Sequence, residues 1–445
     1  MTSCALRGCF ANLLANTSKT ATTYGNGENY FAFTQDGYVG INPDAYFDSN
    51  AGQGYFYDYM QSLAFVNENG VYDKMYCLAS NYCVDAVRSF LVMPVNINML
   101  ESITVEATTN PVTKENLDAN NDGTFDVEDF YDFVWEYGWT YDTLATLSKA
   151  VYSNTNEAIP GADINDTLGL CLGKSSGLTA SGVVYTTSVK IIQKKTTADG
   201  KTTYAYPESN QGLVDLSDAL YNLFKNNPGI TSLDSETAKS SGLGNVKGDL
   251  DGIRVRFAED KVLFGGIIAV GSLEDATYQA MNVSGKKGFG VVPVPLYKQD
   301  ENRTEQYQTL VHNLARIFAI SATTTEFEQC SAFLNYQSTN SKDIIDMYYN
   351  KNLVAAVDAG SAASHNVQML NYIRNHVRDC FDKTYEDVIS NYMGVTDENA
   401  STKRWHGIFY SNGYMVNNMA RLYQEESPAK QESLNKVLSE WAKLN

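Results

Sequence analysis

The chain has 445 residues, with 33 basic and 52 acidic side chains and a net charge of −19 at pH 7. That length exceeds one ordinary hydrophobic core and favours two lobes. The acidic balance argues against nucleic acid or an anionic membrane as a partner. The longest apolar run, around 262–270, falls well short of the ~18 residues needed to span a bilayer.

The N-terminal segment does not read as an export signal. Residues 1–20 include Arg7, Asn12, Asn16 and Lys19, where a signal peptide needs an unbroken apolar stretch. The seven cysteines have no metal-ligand spacing, and buried thiols are the preferred interpretation, with a Cys77–Cys83 bridge as the alternative. The four histidines form no zinc signature.

The first clear elements are two strands. Val71–Ala79 and Ser89–Asn98 are rich in branched and aromatic residues, and the polar turn Ser80-Asn81-Tyr82 separates them.

The sharpest local motif runs from Asp118 to Asp129. Its spacing resembles the calcium loop of EF-hands and dockerin modules, with Gly123 at position 6, where that loop turns sharply. The alternative is an ordinary Asn/Asp/Gly surface turn. The motif predicts a structural Ca²⁺ site with the candidate ligands Asp118, Asn120, Asp122, Thr124 and Asp129.

A helix is predicted after Gly138. Thr140 is a suitable N-cap, Asp142 favours the positive end of the helix, and Leu144, Leu147 and Val151 share one face.

The segment Gly173-Lys174-Ser175-Ser176-Gly177 matches the Gly-x-Ser-x-Gly pattern of a serine hydrolase elbow. We expect no helix after it, because Gly182, Val183 and Val184 follow closely, and we interpret the glycines as turn residues.

The middle of the chain alternates between strands and helices. We expect β-structure over Leu178–Thr203, turning at Ala198-Asp199-Gly200, then a helix over Leu213–Lys225. A return strand is predicted over Phe257–Phe264, and Ser272 is expected to cap a short helix. The C-terminal third is predicted to be helical, ending near Leu434–Trp441.

The segment 288–353 has a distinctive order of elements. A strand ends in Pro293-x-Pro295, a second strand covers Ala315–Ala322, and a helix begins through a capping box formed by Thr325 and Glu328. Together with the Gly-Trp-Thr helix opening at 138–140, this order resembles carbohydrate-type extracellular solute-binding proteins of family 1, the ligand-capturing subunits of ABC importers. Asp260 departs from the family pattern, which usually has glycine there.

The resemblance implies an α/β fold of the class II periplasmic-binding-protein type, with the ligand in a cleft between two lobes. We expect residues 1–107 and 256–312 in the N-terminal lobe and 108–255 and 313–445 in the C-terminal lobe. The expected cleft lies at the carboxyl ends of the strands. The segment Cys4–Tyr59 supplies no convincing version of the family's first strand, helix and strand.

Candidate ligand contacts follow from this cleft. The chain has 30 tyrosines and four tryptophans, and apolar sugar faces stack on aromatic rings, although most such rings are expected in the core. Polar residues at strand ends and helix starts add hydrogen-bonding groups. The ligand-binding candidates are Ser80, Asn96, Ser272, Tyr297 and Trp405.

The resemblance implies a non-enzymatic protein that captures a small polar ligand, a sugar or oligosaccharide, for an ABC permease. A monomer is expected, exported as a surface lipoprotein or to the periplasm, and this chain would then be a mature or trimmed form. Two alternatives remain: a surface carbohydrate-adhesion module without a transporter, and a secreted hydrolase that uses Ser175 or a carboxylate pair.

Overall fold

A computed structural model of the chain describes a large central part and several shorter stretches. The described residues are 2–5, 65–66, 72–74, 83–155, 162–283, 286–298, 303, 305–312, 316–319, 325–326, 329–330, 333, 336–337, 340–378, 382–383, 385–386 and 404–442. Within these stretches, no helix combines the length and apolar character needed to cross a bilayer.

The described residues form a mixed α/β structure, which confirms the predicted class. The strands are β1 Thr2–Ala5, β2 Phe65–Val66, β3 Tyr72–Lys74, β4 Leu91–Asn96, β5 Leu168–Gly173, β6 Gln193–Thr196, β7 Thr202–Ala205, β8 Ile230–Leu233, β9 Val262–Phe264, β10 Ile268–Ala269, β11 Phe289–Val292 and β12 Arg316–Ala319.

Helices surround these strands. The α-helices are α1 Asp85–Arg88, α2 Ile97–Leu100, α3 Val127–Trp135, α4 Tyr141–Val151, α5 Gly177–Tyr185, α6 Gln211–Asn226, α7 Ser235–Ser240, α8 Asp249–Ala258, α9 Ala276–Gln279, α10 Lys342–Tyr348, α11 Ala355–Val357, α12 Ala363–Asn375, α13 Trp405–Ser411 and α14 Met419–Ala442. Short 3-10 helices cover Val105–Thr108 and Val270–Glu274, and a π-helical segment covers Tyr349–Val354.

The main sheet of the described chain has six strands in the order β10-β4-β9-β5-β8, with β11 paired to β4. Strands β8, β5 and β9 run parallel, whereas β4 is antiparallel to both β9 and β11. Every residue of β4 and β5 is buried. Helices must therefore cover both faces of the sheet.

The strands of this sheet come from both sides of the expected lobe boundaries. Strand β4 precedes residue 107, β5 and β8 lie between 108 and 255, and β9 and β11 follow residue 256. The boundaries at 107/108 and 255/256 therefore do not divide this sheet. A separate two-stranded sheet pairs β1, near the N-terminus, with β12, more than 300 residues later in the chain.

Two glycines separate β9 from β10, which both pair with β4. Phe264 pairs with Val95 and Ile268 pairs with Val92, so Gly265 and Gly266 lie between the two pairings. The Gly265 amide still donates to the Pro94 carbonyl at 2.9 Å. Gly266 has φ +75°, and a Cβ there would lie 3.0 Å from the Cys171 carbonyl oxygen. Glycine suits this bulge because it accepts positive φ and close backbone approach.

Trp139 lies at the centre of the core beside the sheet. Its side chain is fully buried, and its ring centroid lies 5.6 Å from that of Phe130 and 5.0 Å from that of Phe264. The indole Nε1 donates to the Pro293 carbonyl at 2.9 Å. The ring thus joins α3, the sheet and the segment after β11.

The prediction of β-structure from Leu178 onward is wrong for its first part. Residues 177–185 form helix α5, and seven of its residues are buried. An apolar run buried on all sides resembles a core strand in sequence. The later part is confirmed, since β6 and β7 form a hairpin around Gly200, which has φ +83°.

The return strand is shorter than predicted. Phe257 belongs to helix α8, and the strand begins at Val262. Asp260 lies between them with φ +57°. Glycine is the usual residue in that conformation, and Asp is among the few others that tolerate it.

Several other predictions have mixed outcomes. Helices α4 and α6 confirm those predicted at 140–151 and 213–225. Ser272 lies inside a 3-10 helix that has no side-chain cap, so its predicted capping role is wrong. Strand β12 confirms part of the strand predicted from 315, whereas Glu328, one half of the capping box, lies outside the described residues.

Candidate functional site

A groove with a volume of about 910 Å³ lies between helices α4 and α6. We call it the Tyr297 groove. The 3-10 helix at 105–108 and the loop after it also line it, as does the segment after β11. Its lining residues are Glu106, Ala107, Thr109, Pro111, Val112, Tyr141, Asp142, Ala145, Thr146, Lys149, Ala150, Ala219, Asn222, Leu223, Asn226, Asn227, Tyr297 and Lys298.

Two tyrosines form part of the groove wall. Tyr141 and Tyr297 are 7% and 6% exposed, so each presents only a small part of its ring to the groove. The Tyr141 amide donates to the Leu296 carbonyl at 2.9 Å, and the Leu296 amide donates to the Trp139 carbonyl at 3.0 Å. These bonds attach the start of α4 to the segment after β11 and hold the two tyrosines together.

Helix α4 extends from one end of the parallel strands towards the other. Near its C-terminus, Ser148 lies against Gly169 and Gly229, at the amino ends of β5 and β8. Because this C-terminal part of α4 lies at the amino ends of β5 and β8, the N-terminus of the helix lies towards the carboxyl ends of the strands. Tyr141 and Asp142 are therefore at the end of the sheet where α/β proteins bind ligands.

The polar groups of the groove carry balanced charge. Its lining includes two carboxylates, Glu106 and Asp142, and two ammonium groups, Lys149 and Lys298. Burial raises the pKa of Asp142 above its ordinary value. The Lys298 ammonium lies 5.2 Å from the Tyr297 ring centroid and 3.6 Å from an Asp215 carboxylate oxygen. A hydrogen bond with Tyr297 raises the pKa of Lys298.

The carboxyl ends of the parallel strands carry a second group of polar residues. Strand β5 leads into Lys174-Ser175-Ser176, and helix α5 begins at Gly177, which corrects the expectation that no helix follows this segment. Ser175 is exposed. Its Oγ accepts a hydrogen bond from the Ser235 amide at 3.0 Å, and its own amide donates to Asp249 Oδ2 at 2.8 Å. The partners of Ser175 in these bonds are a backbone amide and a carboxylate. Neither is the imidazole base that would activate a serine nucleophile.

Asn96 has a structural role. Its side chain is fully buried, and Oδ1 accepts from the Met99 amide at 3.1 Å, which caps α2. Its Nδ2 donates to the Phe257 carbonyl at 2.9 Å and to Asp260 Oδ1 at 2.7 Å. Both donors and the acceptor are thus already used within the protein.

Trp405 is also part of the interior. It is 0% exposed, and its ring stacks on Tyr423 at a centroid distance of 5.2 Å. Its amide donates to Glu386 Oε1, and the Lys430 ammonium lies 5.4 Å from its ring centroid. The full burial of Trp405 does not agree with its prediction as a ligand contact. Ser80 lies outside the described residues, and Ser272 does not line the groove.

The loop Asp118–Asp129 has an inward-turned geometry. Asp118 Oδ2 accepts from the Gly123 amide at 3.2 Å, and Asn120 Oδ1 accepts from the Asp122 amide at 2.8 Å. Asp129 Oδ1 accepts from the Ala119 amide at 3.1 Å, which joins the end of the loop to its start. Burial raises the pKa of Asp129, and the charges of Asp126 and Asp118 add to that effect.

No metal cluster made of acidic, histidine or cysteine side chains alone is evident among the described residues. Asp118, Asp122 and Asp129 are among these residues, so their carboxylates are not gathered as a metal site in this structure. Asp122 Oδ1 accepts from both the amide and the hydroxyl of Thr124.

The sequence identified Tyr297 but missed its partners in the groove. The sequence predicts only the start of a helix at Tyr141 and Asp142, although they follow the Gly-Trp-Thr opening directly. The hydrogen bond that brings this opening to Leu296 spans about 155 residues of sequence. Local pattern carries no signal for such a pairing.

Comparisons with known proteins give one structural likeness. No family model matches the chain, and no curated protein matches it. The chain is similar to a solved structure described as the SBP RafE in complex with raffinose, at 13% sequence identity and a TM-score of 0.36. That alignment covers 90% of this chain and 81% of the other.

Proposed function

We propose that this protein is an extracellular solute-binding protein that captures a sugar or oligosaccharide in the Tyr297 groove. The observation that carries the proposal is a groove of about 910 Å³ in which two tyrosines meet both carboxylate and ammonium groups. Small-molecule sites have volumes of about 300–1,000 Å³ and combine aromatic walls with a few polar groups. The groove is large enough for more than one sugar ring.

The balanced charge of the groove favours a neutral ligand. Glu106 and Asp142 oppose Lys149 and Lys298, so neither an anion nor a cation meets a field of one sign. Sugar hydroxyls both donate and accept hydrogen bonds. They can therefore use the carboxylates as acceptors and the ammonium groups as donors. The exposed amides of Asn222 and Asn226 extend this set along the groove.

Aromatic rings in the groove wall suit the apolar faces of sugar rings. Tyr141 and Tyr297 are already buried at 7% and 6% exposure, so little side-chain freedom is lost on binding. Pro111 and Val112 provide further apolar surface, and Val112 is 68% exposed.

We further propose a two-lobe arrangement in which the six-stranded sheet forms the core of one lobe. The two-stranded sheet of β1 and β12 then belongs to the other lobe, because both strands lie outside residues 91–292, which contain all strands of the main sheet. In this scheme the ligand favours a closed state by contacting both lobes. The loaded protein then delivers its sugar to an ABC permease, and it acts as a monomeric lipoprotein at the cell surface or in the periplasm.

The binding proposal is tested by calorimetry with mono- and oligosaccharides, amino acids and short peptides. Saccharide binding by the wild type that is weakened in Tyr297→Ala supports the groove. Tyr336→Ala is the matched control, because Tyr336 is 66% exposed and does not line the groove. Delivery is tested separately, by measuring whether the loaded protein stimulates ATP hydrolysis by the complete ABC importer in membrane vesicles.

One observation favours a hydrolase as the second candidate function. Gly173–Gly177 connects a buried strand to a helix and exposes Ser175, which is the context of a nucleophile elbow. Turnover of a panel of esters and glycans, abolished by Ser175→Ala, would support this candidate. Saccharide binding without turnover would favour the solute-binding protein.

A further inference from the structure

The loop Asp118–Asp129 contains a buried carboxylate oxygen without a hydrogen-bond partner. Asp118 is 3% exposed, and its Oδ1 has no partner among the described residues. The other oxygen of the same carboxylate accepts from the Gly123 amide at 3.2 Å, across the loop. The carboxylate therefore faces the loop interior, and one oxygen remains available there.

A buried carboxylate oxygen in this position needs a counter-charge or a hydrogen-bond donor in place of water. Removing a charged group from water is costly unless a counter-charge or hydrogen bonds replace its hydration. Asp129 brings a second carboxylate, and so more negative charge, close to Asp118. It accepts hydrogen bonds from the amides of Ala119 and Asp126 at 3.1 and 3.2 Å. No salt-bridge partner is found for Asp118 among the described residues. A cation bound inside the loop would supply the missing partner.

We propose that this loop binds one Ca²⁺ ion through Asp118 Oδ1, Asn120, Asp122, Asp129 and the Thr124 carbonyl. Calcium accepts six to eight oxygen ligands from carboxylates, amides and carbonyls, and it tolerates flexible geometry. The carboxylates of Asp118 and Asp122 accept hydrogen bonds from different amides of the loop. A bound Ca²⁺ ion can bring these two carboxylates together. Asp122, exposed and bonded to Thr124, is the ligand that must turn inward.

The proposed ion has a structural consequence. Asp126 caps α3, and Asp129 bonds back to its amide, so the loop and the helix start form one unit. Two residues after Asp129, Tyr131 donates to Asn366 Oδ1 at 2.8 Å and accepts from the Val291 amide at 2.9 Å. The ion therefore stabilises the helix that contacts both β11 and α12. It lies outside the Tyr297 groove, so it is independent of the proposed ligand.

The proposal is tested by calorimetric titration of the chelator-treated full chain with CaCl₂. The expected result is one saturable site in the wild type, its loss in Asp118→Asn, and a higher melting temperature in calcium than in chelator. Asp122→Ala is the second variant, because Asp122 is exposed and its replacement leaves the core unchanged. Loss of the site is expected there too.

Asp132→Asn is the matched control, since Asp132 is exposed on the next turn of α3 and the substitution removes the same charge. It should retain the site. A parallel titration with MgCl₂ tests the preference for calcium, and weaker binding of magnesium is expected. The proposal is overturned if the wild type shows no saturable heat with calcium, or if Asp118→Asn and Asp122→Ala bind it as the wild type does.

Discussion

The backbone amide of Tyr141 donates a hydrogen bond to the carbonyl of Leu296 at 2.9 Å. This bond joins the first residue of α4 to the segment that follows β11, and Tyr297 is the next residue. Two tyrosines from distant parts of the sequence thereby meet at one end of the groove. The proposed ligand site depends on this junction.

Tyr297→Ala should weaken saccharide binding by about 1–3 kcal/mol, because it removes an aromatic ring from the groove wall. Tyr297 is 6% exposed, so some loss of stability is also expected. Calorimetry at a temperature far below the melting transition separates the two effects. Ser175→Ala should bind as the wild type does, and equal affinity in Tyr297→Ala would remove Tyr297 from the site.

Trp405→Ala should destabilise the fold by roughly 3–5 kcal/mol, the usual cost of removing a large buried aromatic side chain. The ring is fully buried against Tyr423, so its loss leaves a cavity in the interior. Chemical denaturation measures the effect. A fully stable variant with a specific loss of ligand affinity would instead return Trp405 to the binding site.

Saccharide affinity should fall as the pH is lowered through the pKa of Asp142. Burial raises that pKa, and only the ionised carboxylate offers all its oxygen lone pairs to ligand hydroxyls. Saccharide affinity is therefore highest at pH values above the pKa of Asp142, and it falls as the pH drops below that pKa. Asp142→Asn should bind more weakly at neutral pH and lose this dependence, because an amide does not titrate. An unchanged acid limb in that variant would assign the dependence to another group.

Gly169→Ala should be strongly destabilising, because a Cβ there would lie 2.1 Å from the Cα of Ser148. Helix α4 would have to move away from β5, and overpacking of this kind costs about 1–3 kcal/mol or more. Gly177→Ala is the matched control, since nothing lies within 4 Å of its added Cβ. Melting curves of the two variants compare them directly, and equal stability would contradict the close packing of α4 on β5.

Local signals in the sequence located several elements correctly. Thr140 as an N-cap, with Leu144 and Leu147 on the buried face, was enough to place α4. Gly200 marked the hairpin in the same way. These predictions succeed because the cap, the turn and the apolar face are all encoded within a few residues.

Other features depend on contacts that are distant in sequence. Residues 179–185 are all buried and belong to a helix, which periodicity alone does not distinguish from a strand. Asn96 looked available at a strand end, yet its polar atoms are used by Met99, Phe257 and Asp260. Asp142 was assigned a role in the helix alone, and its position in the groove follows from the pairing with the segment after β11.

The most direct test of the central claim is a thermal-shift titration of the wild type and Tyr297→Ala with mono- and oligosaccharides. A ligand that binds only the folded state adds about 2.7 kcal/mol of stability at 100 times its Kd. We predict that at least one saccharide raises the melting temperature of the wild type. At the same concentration it should raise that of Tyr297→Ala clearly less. No shift with any saccharide, or equal shifts in both proteins, would contradict sugar binding in the Tyr297 groove.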